Sequence, residues 1–226
     1  MAEDQRIGLG AWATFNDEDL VAASNWGDQA AFDEIVARYA RKLFRIACHI
    51  MHNAADAQDV VQETLIKVFR NLDRFRADSK FSTWLYRIVV NQSLMELRKQ
   101  RTKASAAGVS LDPGADGELP IDFSDWRPNP EEQYKQSELA DLLNQALEQL
   151  RPALRVAFVM HDIEGLSLQE TAEALSLSMA AVKTRSLRAR LDLRERLAAH
   201  FKRDELGKQR TSDSRPLIAR AFSAFA

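Results

Sequence analysis

The side chains best suited to bind a polyanion lie close together in the last quarter of the chain. Between residues 179 and 190, cations and a hydroxyl recur at helical spacing, so a single helix would carry a basic face. A narrow basic helix fits the major groove of duplex DNA, where Lys and Arg reach base edges and phosphates. The side chains on this predicted helix are Lys183, Thr184, Arg185, Arg188 and Arg190. A solvated basic face on an ordinary helical hairpin is the alternative.

Two capping signals predict how this helix is positioned. Ser167 and Glu170 have the spacing of a capping box, which predicts a preceding helix that begins at Leu168. Ser178 follows a break in the pattern and is placed to cap the basic helix. Together these signals predict a helix-turn-helix. The apolar side chains of the second helix that are expected to turn inward are Val182, Leu187 and Leu191.

A second segment, residues 75–87, interleaves aromatic, cationic and hydroxyl side chains. Aromatic rings can stack on unpaired bases while cations follow the phosphates, which is the combination that binds single-stranded nucleic acid. The side chains with this potential are Phe75, Arg76, Lys80, Phe81, Thr83, Trp84 and Arg87, together with Asn91, whose amide can hydrogen-bond a base edge. Considered alone, the segment fits a hydrophobic core equally well, and Asn91 fits an ordinary exposed helix position.

Acidic and amide side chains share one face of another predicted helix, because their spacings are three and four residues. They are Asp56, Asp59, Gln62 and Glu63. Such a face can bind a basic partner protein. Considered alone, it is more simply a solvated surface.

Charge is strongly segregated along the chain, although the net charge of the 226 residues is only −2. Residues 67–103 contain ten Lys or Arg against three Asp or Glu, whereas residues 104–149 contain two against ten. Two basic segments separated by an acidic one indicate two contacts with a polyanion and a connector that avoids it.

Other function classes find little support in the sequence. No apolar run reaches the roughly 18 to 20 residues of a membrane span, and the first residues lack the pattern of a signal peptide. The single cysteine, Cys48, suits a reducing cytoplasm and is better explained as core filling than as a metal ligand with His49 and His52. No nucleophile–base set, phosphate loop or catalytic pair of carboxylates is recognisable. We therefore expect a cytoplasmic protein that is not an enzyme, has no metal or cofactor and does not insert into a membrane.

The periodicity predicts an all-α protein of two helical domains joined by a flexible linker, with the helix-turn-helix in the second domain. The first domain, residues 1–103, is expected to contain helices over residues 17–25, 29–51, 56–72 and 82–101, the third capped by Asp56. Residues 104–131 are acidic and contain Pro and Gly, which indicates a linker. Residues 132–203 form the second domain, in which helices over about 131–150 and 153–163 precede the helix-turn-helix, and residues 204–226 form a tail of unknown role.

Three strings in a fixed order resemble the bacterial sigma-70 family, specifically its extracytoplasmic-function group. They are DAQDVVQETLIKVFRNLDRF at 56–75, FSTWLYRIVVNQSLMELRK at 81–99 and DIEGLSLQETAEALSLSMAAVKTRSLRARLDLRERL at 162–197. Each string alone is moderately specific. All three in this order, with an acidic linker between them, are highly specific, and the resemblance runs from about Asp17 to Phe201.

The resemblance implies a sigma factor that binds core RNA polymerase and promoter DNA. The face of Asp56, Asp59, Gln62 and Glu63 matches the surface that docks on the coiled coil of the polymerase largest subunit, and the flap is a second expected contact. The segment from Phe75 to Trp84, with Arg87 and Asn91 beyond it, matches the region that melts the minus-ten element and holds a flipped base. The recognition helix that reads the minus-thirty-five element as duplex is matched by Ser178, Lys183, Thr184, Arg185, Leu187 and Arg188. An anti-sigma factor is an expected further partner.

Two positions depart from the common family pattern. Many relatives carry Arg where this chain has Lys183, and a larger aromatic or polar residue where it has Leu187. Because Lys lacks the bidentate fork of Arg, the base that is read there can differ. The competing interpretation is a dimeric helix-turn-helix regulator with a sensing or dimerisation domain, which explains the helix-turn-helix but not the aromatic segment or the acidic face.

Overall fold

The computed structural model describes residues 11–106 and 142–208, with side chains for 12–103 and 142–199. Every regular element in these two ranges is helical, as the sequence predicted. None of the described helices is both long enough and apolar enough to cross a membrane. The chain divides into two compact units, whose main parts are these two ranges.

The first unit is built on three long helices that pack against one another, with a short helix packed on the first of them. The helices are α1 (Asp17–Asn25), α2 (Gln29–Met51), α3 (Ala54–Arg70) and α4 (Phe81–Ala106), with short 3-10 turns at Ala11–Thr14 and Leu72–Arg74. The apolar side of α2 supplies much of the core. Its fully buried residues are Ile35, Leu43, Ile46 and Ile50, and the neighbouring helices α3 and α4 bury Val68, Leu85 and Val89.

Side-chain caps explain where the first three helices begin. The Asn16 side chain accepts from the Asp19 amide at 2.8 Å, and the Asp28 side chain accepts from the Ala30 amide at 2.9 Å. The predicted cap of α3 was wrong by three residues. Asn53, rather than Asp56, caps this helix, because its side chain accepts from the Asp56 amide at 3.0 Å.

Asp17 fastens α1 to α2. Its carboxylate accepts hydrogen bonds from the Arg38 guanidinium at 2.9 Å and from the Tyr39 hydroxyl. Burial of the ring, followed by the bond to Asp17, raises the pKa of Tyr39. Tyr39 therefore stays a neutral donor at any physiological pH.

The second unit contains a helix-turn-helix supported by two shorter helices. Residues 142–148 form α5, followed by α6 (Pro152–Phe158), a π-helical turn (Val159–Ile163), α7 (Leu168–Leu175) and α8 (Met179–Lys208). Residues from α5, α6 and α8 form one hydrophobic cluster, whose buried members are Ala146, Leu147, Leu150, Phe158, Ala189, Leu193 and Leu197.

A buried arginine ends α5. Arg155 is 4% exposed, and its guanidinium donates to the backbone carbonyls of Leu147 at 2.9 Å and Leu150 at 3.2 Å, and to that of Glu148. The last carbonyls of a helix have no partner within the helix, so a cation placed there satisfies them and also suits the helix dipole. Arg155 thus joins the end of α5 to α6.

The helix ends that differ most from the prediction are those of α4, α6 and α8. The helix α4 continues to Ala106 and α8 to Lys208, so both run into segments predicted as linker and tail. Alanine and charged residues at the ends of α4 and α8 favour the helical conformation, so the backbone hydrogen bonds of both helices continue beyond their buried parts. The helix predicted over 153–163 ends as regular α-helix at Phe158 and closes with the π turn. The remaining linker and tail residues, 107–131 and 209–226, and the first part of the helix predicted from Glu131 lie outside the described residues.

Candidate nucleic-acid interface

The helix-turn-helix is held by the capping interactions that the sequence predicted. The Ser167 amide donates to the Glu170 carboxylate at 3.0 Å, and the Glu170 amide donates to the Ser167 hydroxyl at 3.1 Å, which completes a capping box on α7. After the turn, in which Ser176 has a positive φ of 53°, the Ser178 hydroxyl accepts from the Ala181 amide at 3.2 Å. Ser178 therefore fixes the start of α8.

The face of α8 that packs inward carries small as well as apolar side chains. It consists of Val182, Ser186, Ala189, Leu193 and Leu197, all buried. The prediction that Leu187 and Leu191 turn inward was wrong, because 57% of Leu187 and 54% of Leu191 is exposed. The small residues Ser186 and Ala189 occupy the buried positions on this part of α8, which places the two leucines on the outer side.

The outer face of α8 collects the predicted duplex-binding side chains. Lys183, Thr184, Leu187 and Arg188 are exposed, as is the capping residue Ser178, and Arg185 is half-buried beside them. The Thr184 hydroxyl donates to the Ala180 carbonyl at 2.9 Å.

Another cation of α8 serves the fold. The Arg190 guanidinium donates to the Asp162 carboxylate in the π turn at 2.7 Å, so Arg190 anchors α8 to the preceding turn. Within the described ranges, no such acidic partner lies at ion-pair distance from Lys183 or Arg188. The outer face is therefore a cationic surface with an apolar side chain, Leu187, within it.

Aromatic rings cluster at the start of α4. The ring of Phe75 lies 5.2 Å from that of Phe81 and 5.6 Å from that of Trp84, and Phe81 and Trp84 are stacked at 5.7 Å. Tyr39 of α2 adds an edge contact to Phe81 at 6.0 Å. Phe75 and Trp84 remain half-buried, so the cluster has an outer side that a further ring can reach.

The other side chains of this segment divide between the interior and the surface. Phe81 and Thr83 are 3% and 1% exposed, so both side chains lie in the interior, and the Phe81 ring packs against Phe75 and Trp84 from there. Arg76, Lys80 and Asn91 lie towards the surface, and Arg87 is half-buried. The structure thus leaves Phe75 and Trp84 half-buried with Phe81 in the interior, whereas the sequence alone fitted a core and a binding surface equally well.

The acidic face of α3 is tied to α4 by amide side chains. Asp59 and Gln62 are exposed, while the Glu63 carboxylate accepts from the buried Gln92 side chain at 3.0 Å. Gln92 in turn accepts from the Lys67 ammonium at 2.6 Å. At the other end of the face, Asp56 accepts from the Gln100 amide at 2.9 Å. These bonds fix the direction of two of the four predicted side chains.

Sequence reasoning missed an apolar extension of this face. Ile66 is 51% exposed and Phe69 is 59% exposed. Ile66 lies four residues beyond Gln62 and three beyond Glu63, and Phe69 lies three beyond Ile66, so both continue the acidic stripe along α3. The helical spacing of Ile66 and Phe69 from the acidic residues was the signal in the sequence that could have predicted their place on this face. The Phe69 ring packs by its edge on Phe32 at 4.9 Å, which keeps it in place at the surface.

The lone thiol lies in the core, as predicted. Cys48 is buried, and burial raises its pKa to about 11. In the described ranges, no group of three or more His, Cys, Asp or Glu side chains is arranged to hold a metal ion.

Comparison with known proteins identifies two family models. Sigma-70 region 2 matches residues 35–103, and Sigma-70 region 4 matches residues 140–193. The first match contains α3, the aromatic cluster and most of α4, and the second contains the helix-turn-helix.

Several relatives match most of the chain. The ECF RNA polymerase sigma factor SigE of Mycolicibacterium smegmatis is 38% identical over 178 residues, which cover 77% of this chain but only 65% of that relative. The RNA polymerase sigma-H factor of Pseudomonas aeruginosa is 33% identical over 174 residues, covering 77% of this chain and 90% of the relative. The ECF RNA polymerase sigma-E factor of Escherichia coli is 34% identical with the same coverage.

Two solved structures share the fold. CnrH, solved in complex with the cytosolic domain of CnrY, has a TM-score of 0.56 and 28% identity, covering 81% of this chain and 97% of that chain. The sigma factor RpoE from Bartonella quintana, solved with the anti-sigma factor NepR, has a TM-score of 0.58 and 24% identity, covering 74% of this chain and 96% of that chain.

Proposed function

This chain belongs to the extracytoplasmic-function group of the sigma-70 family and serves promoter-specific transcription, and we propose that it reads the minus-thirty-five element as duplex and the minus-ten element as melted single strand. In this proposal residues 1–103 dock on polymerase and melt DNA, residues 132–203 read the duplex, and residues 104–131 connect them.

The outer face of α8 is the observation that carries the proposal. Lys183 and Arg188 are exposed on a capped recognition helix, with the half-buried Arg185 beside them. Cations at this position of a helix-turn-helix bind phosphates and base edges in the major groove. Ser178, at the helix start, and Thr184 complete the surface that would face the duplex.

The aromatic cluster supports the single-strand part of the proposal. A flipped base would stack against Trp84 or Phe75, with the buried Phe81 ring packed against both from inside. We assign contacts with phosphates or base edges to Arg76, Lys80, Arg87 and Asn91, which lie within or shortly after the segment that carries these rings. Stacking contributes about 1 to 3 kcal/mol per base, which is comparable with the few kcal/mol that flipping costs. One or two captured bases would therefore hold a bubble open.

The acidic face of α3 supports a contact with core polymerase. We assign Asp56, Asp59, Gln62 and Glu63 to a basic coiled coil of the largest subunit, with Ile66 and Phe69 adding exposed apolar area. The helix-turn-helix domain would bind the flap. An anti-sigma factor is a further proposed partner, since this chain resembles CnrH, which was solved with the cytosolic domain of CnrY.

Neutralising the acidic face without breaking its hydrogen bonds tests the docking assignment. Asn at position 59 and Gln at position 63 keep side chains of the same shape, and the amide oxygen introduced at position 63 would still accept from Gln92. We expect the double variant Asp59→Asn, Glu63→Gln to bind core polymerase about tenfold or more weakly, as loss of charges from a desolvated contact does. The quantity to measure is the dissociation constant for core enzyme, with circular dichroism as a folding check.

A matched control uses two exposed acids on α1. The double variant Glu18→Gln, Asp19→Asn makes the same change of charge, and both residues are exposed. It should bind core polymerase as the unmodified chain does. Equal binding by all three proteins would refute the docking face. Tight binding to a palindromic duplex by the chain alone, as a dimer and without core enzyme, would instead favour the regulator.

A further inference from the structure

Leu187 is an exposed apolar side chain within a cationic face. Three large apolar residues of α8 are exposed in the described part of the chain, namely Met179, Leu187 and Leu191. Leu187 lies four residues beyond Lys183, three beyond Thr184 and directly before Arg188, so it lies in the middle of their face, whereas Met179 and Leu191 lie at the two ends of this stripe. The packing of α8 does not use it, because Ser186 and Ala189 fill the buried side.

Helix geometry decides which of these side chains can reach a base. With a rise of 1.5 Å per residue, Lys183 lies about 6 Å, Leu187 about 12 Å and Leu191 about 18 Å along α8 from its first residue. The major groove is about 12 Å wide. A helix that enters the groove by its capped end therefore carries Leu187 over base edges, whereas Leu191 lies beyond the groove.

The chemistry of the groove then selects the base. Of the four bases, thymine alone presents a methyl group on its major-groove edge, and an apolar side chain recognises it by contact. The two cations beside Leu187 cannot substitute for it in this role, whereas the methyl group of Thr184 is a second, smaller apolar group on this face, and Leu187→Ala distinguishes between the two. Lys183 and Arg188 are cations suited to phosphates or guanine acceptors, and the Thr184 hydroxyl hydrogen is used within the helix.

We propose that Leu187 is a specificity-determining residue that selects thymine at one position of the minus-thirty-five element by packing on its C5-methyl group. The proposal rests on the duplex reading by α8 proposed above. A cationic surface alone does not determine which base is preferred, whereas Leu187 would select the base that carries a methyl group.

Replacing thymine by uracil removes only the methyl group and therefore tests this contact directly. Duplexes would first be selected from a random pool by holoenzyme reconstituted from the full chain and core polymerase. Each dT of the upstream half-site would then be replaced in turn by dU, and holoenzyme affinity measured by fluorescence anisotropy. At one position we expect about fourfold weaker binding, the effect of losing one buried methyl-sized group.

The variants Leu187→Ala and Leu191→Ala assign the effect to a side chain. Leu187→Ala should reduce the dT-to-dU ratio at that position from about four to about one. Leu191→Ala removes an equally exposed leucine one turn further on and should leave the ratio near four, as should Met179→Ala. Both leucines are more than half exposed, so neither change should disturb folding.

Two results would overturn the proposal while leaving duplex reading intact. One is a ratio near one at every dT for the unmodified chain, with specific binding retained. The other is a ratio that survives Leu187→Ala or disappears in Leu191→Ala or Met179→Ala. If holoenzyme showed no specific contact with the upstream duplex at all, the proposed function of α8 would fail as well.

Discussion

Arg188 offers a quantitative test of the cationic face of α8. The side chain is exposed and has no ion-pair partner within the described residues, so a DNA phosphate can be its counterion. Each phosphate contact contributes about 0.9 to the slope of log affinity against log salt concentration, because bound counterions are released. Arg188→Ala should reduce the slope by about 0.9. The corresponding loss of affinity is about eightfold at 0.1 M salt but only about threefold at 0.3 M.

The assay is a salt titration of holoenzyme binding to a labelled upstream duplex. Holoenzyme would be kept above the dissociation constant for core enzyme at every salt concentration, so that only DNA binding varies. Arg194→Ala is the control, since Arg194 is also exposed on α8 but lies about 22 Å from its first residue, beyond the groove. If Arg188→Ala and Arg194→Ala changed the slope equally, the loss would reflect general charge, and Arg188 would have no specific phosphate contact.

Three further predictions concern stability and the thiol. Arg155→Met should destabilise the second unit by about 2 to 4 kcal/mol in urea unfolding, because three carbonyls at the end of α5 lose their charged donor, whereas the exposed Arg151→Met should change little. Asn53→Ala should cost the first unit about 1 kcal/mol through loss of the α3 cap, and an equal cost for the exposed Gln58→Ala would contradict that role. Since burial raises the pKa of Cys48 from 9.0 to about 11, Ellman's reagent at pH 8 should react with it only after unfolding. The folded state holds this proton more tightly than the unfolded state, so the contribution of the neutral thiol to stability is complete below about pH 9 and is lost as the pH rises towards 11.

The sequence predicted the helices best where local chemistry decides their ends. Both bounds of α1 and α2 were predicted correctly, and Ser167 and Ser178 cap the helices as expected. The error at Asp56 arose because Asn53 is an equally good cap three residues earlier, and propensity does not choose between them.

Side-chain placement was harder where tertiary packing decides. The prediction turned the largest apolar residues of α8, Leu187 and Leu191, towards the core, but Ser186 and Ala189 are buried there instead and the two leucines are exposed. The aromatic segment was ambiguous for a related reason. Whether Phe81 or Trp84 points inward depends on α2, whose Tyr39 contacts the Phe81 ring. This contact joins two helices that are distant in the sequence, so no local sequence pattern predicts it.

The hydrogen bonds that join Glu63, Gln92 and Lys67 connect the acidic face of α3 to α4, the helix that carries Phe81 and Trp84. Gln92 lies eleven residues beyond Phe81 on the same helix, about 16 Å along α4 from the aromatic rings. A protein that binds the Glu63 carboxylate would compete with, or share, the hydrogen bond from the Gln92 amide. Gln92 belongs to α4, so any movement of its side chain takes place on the helix that also carries the aromatic rings. The acidic face of α3 and the aromatic rings are therefore both connected to one continuous helix, α4.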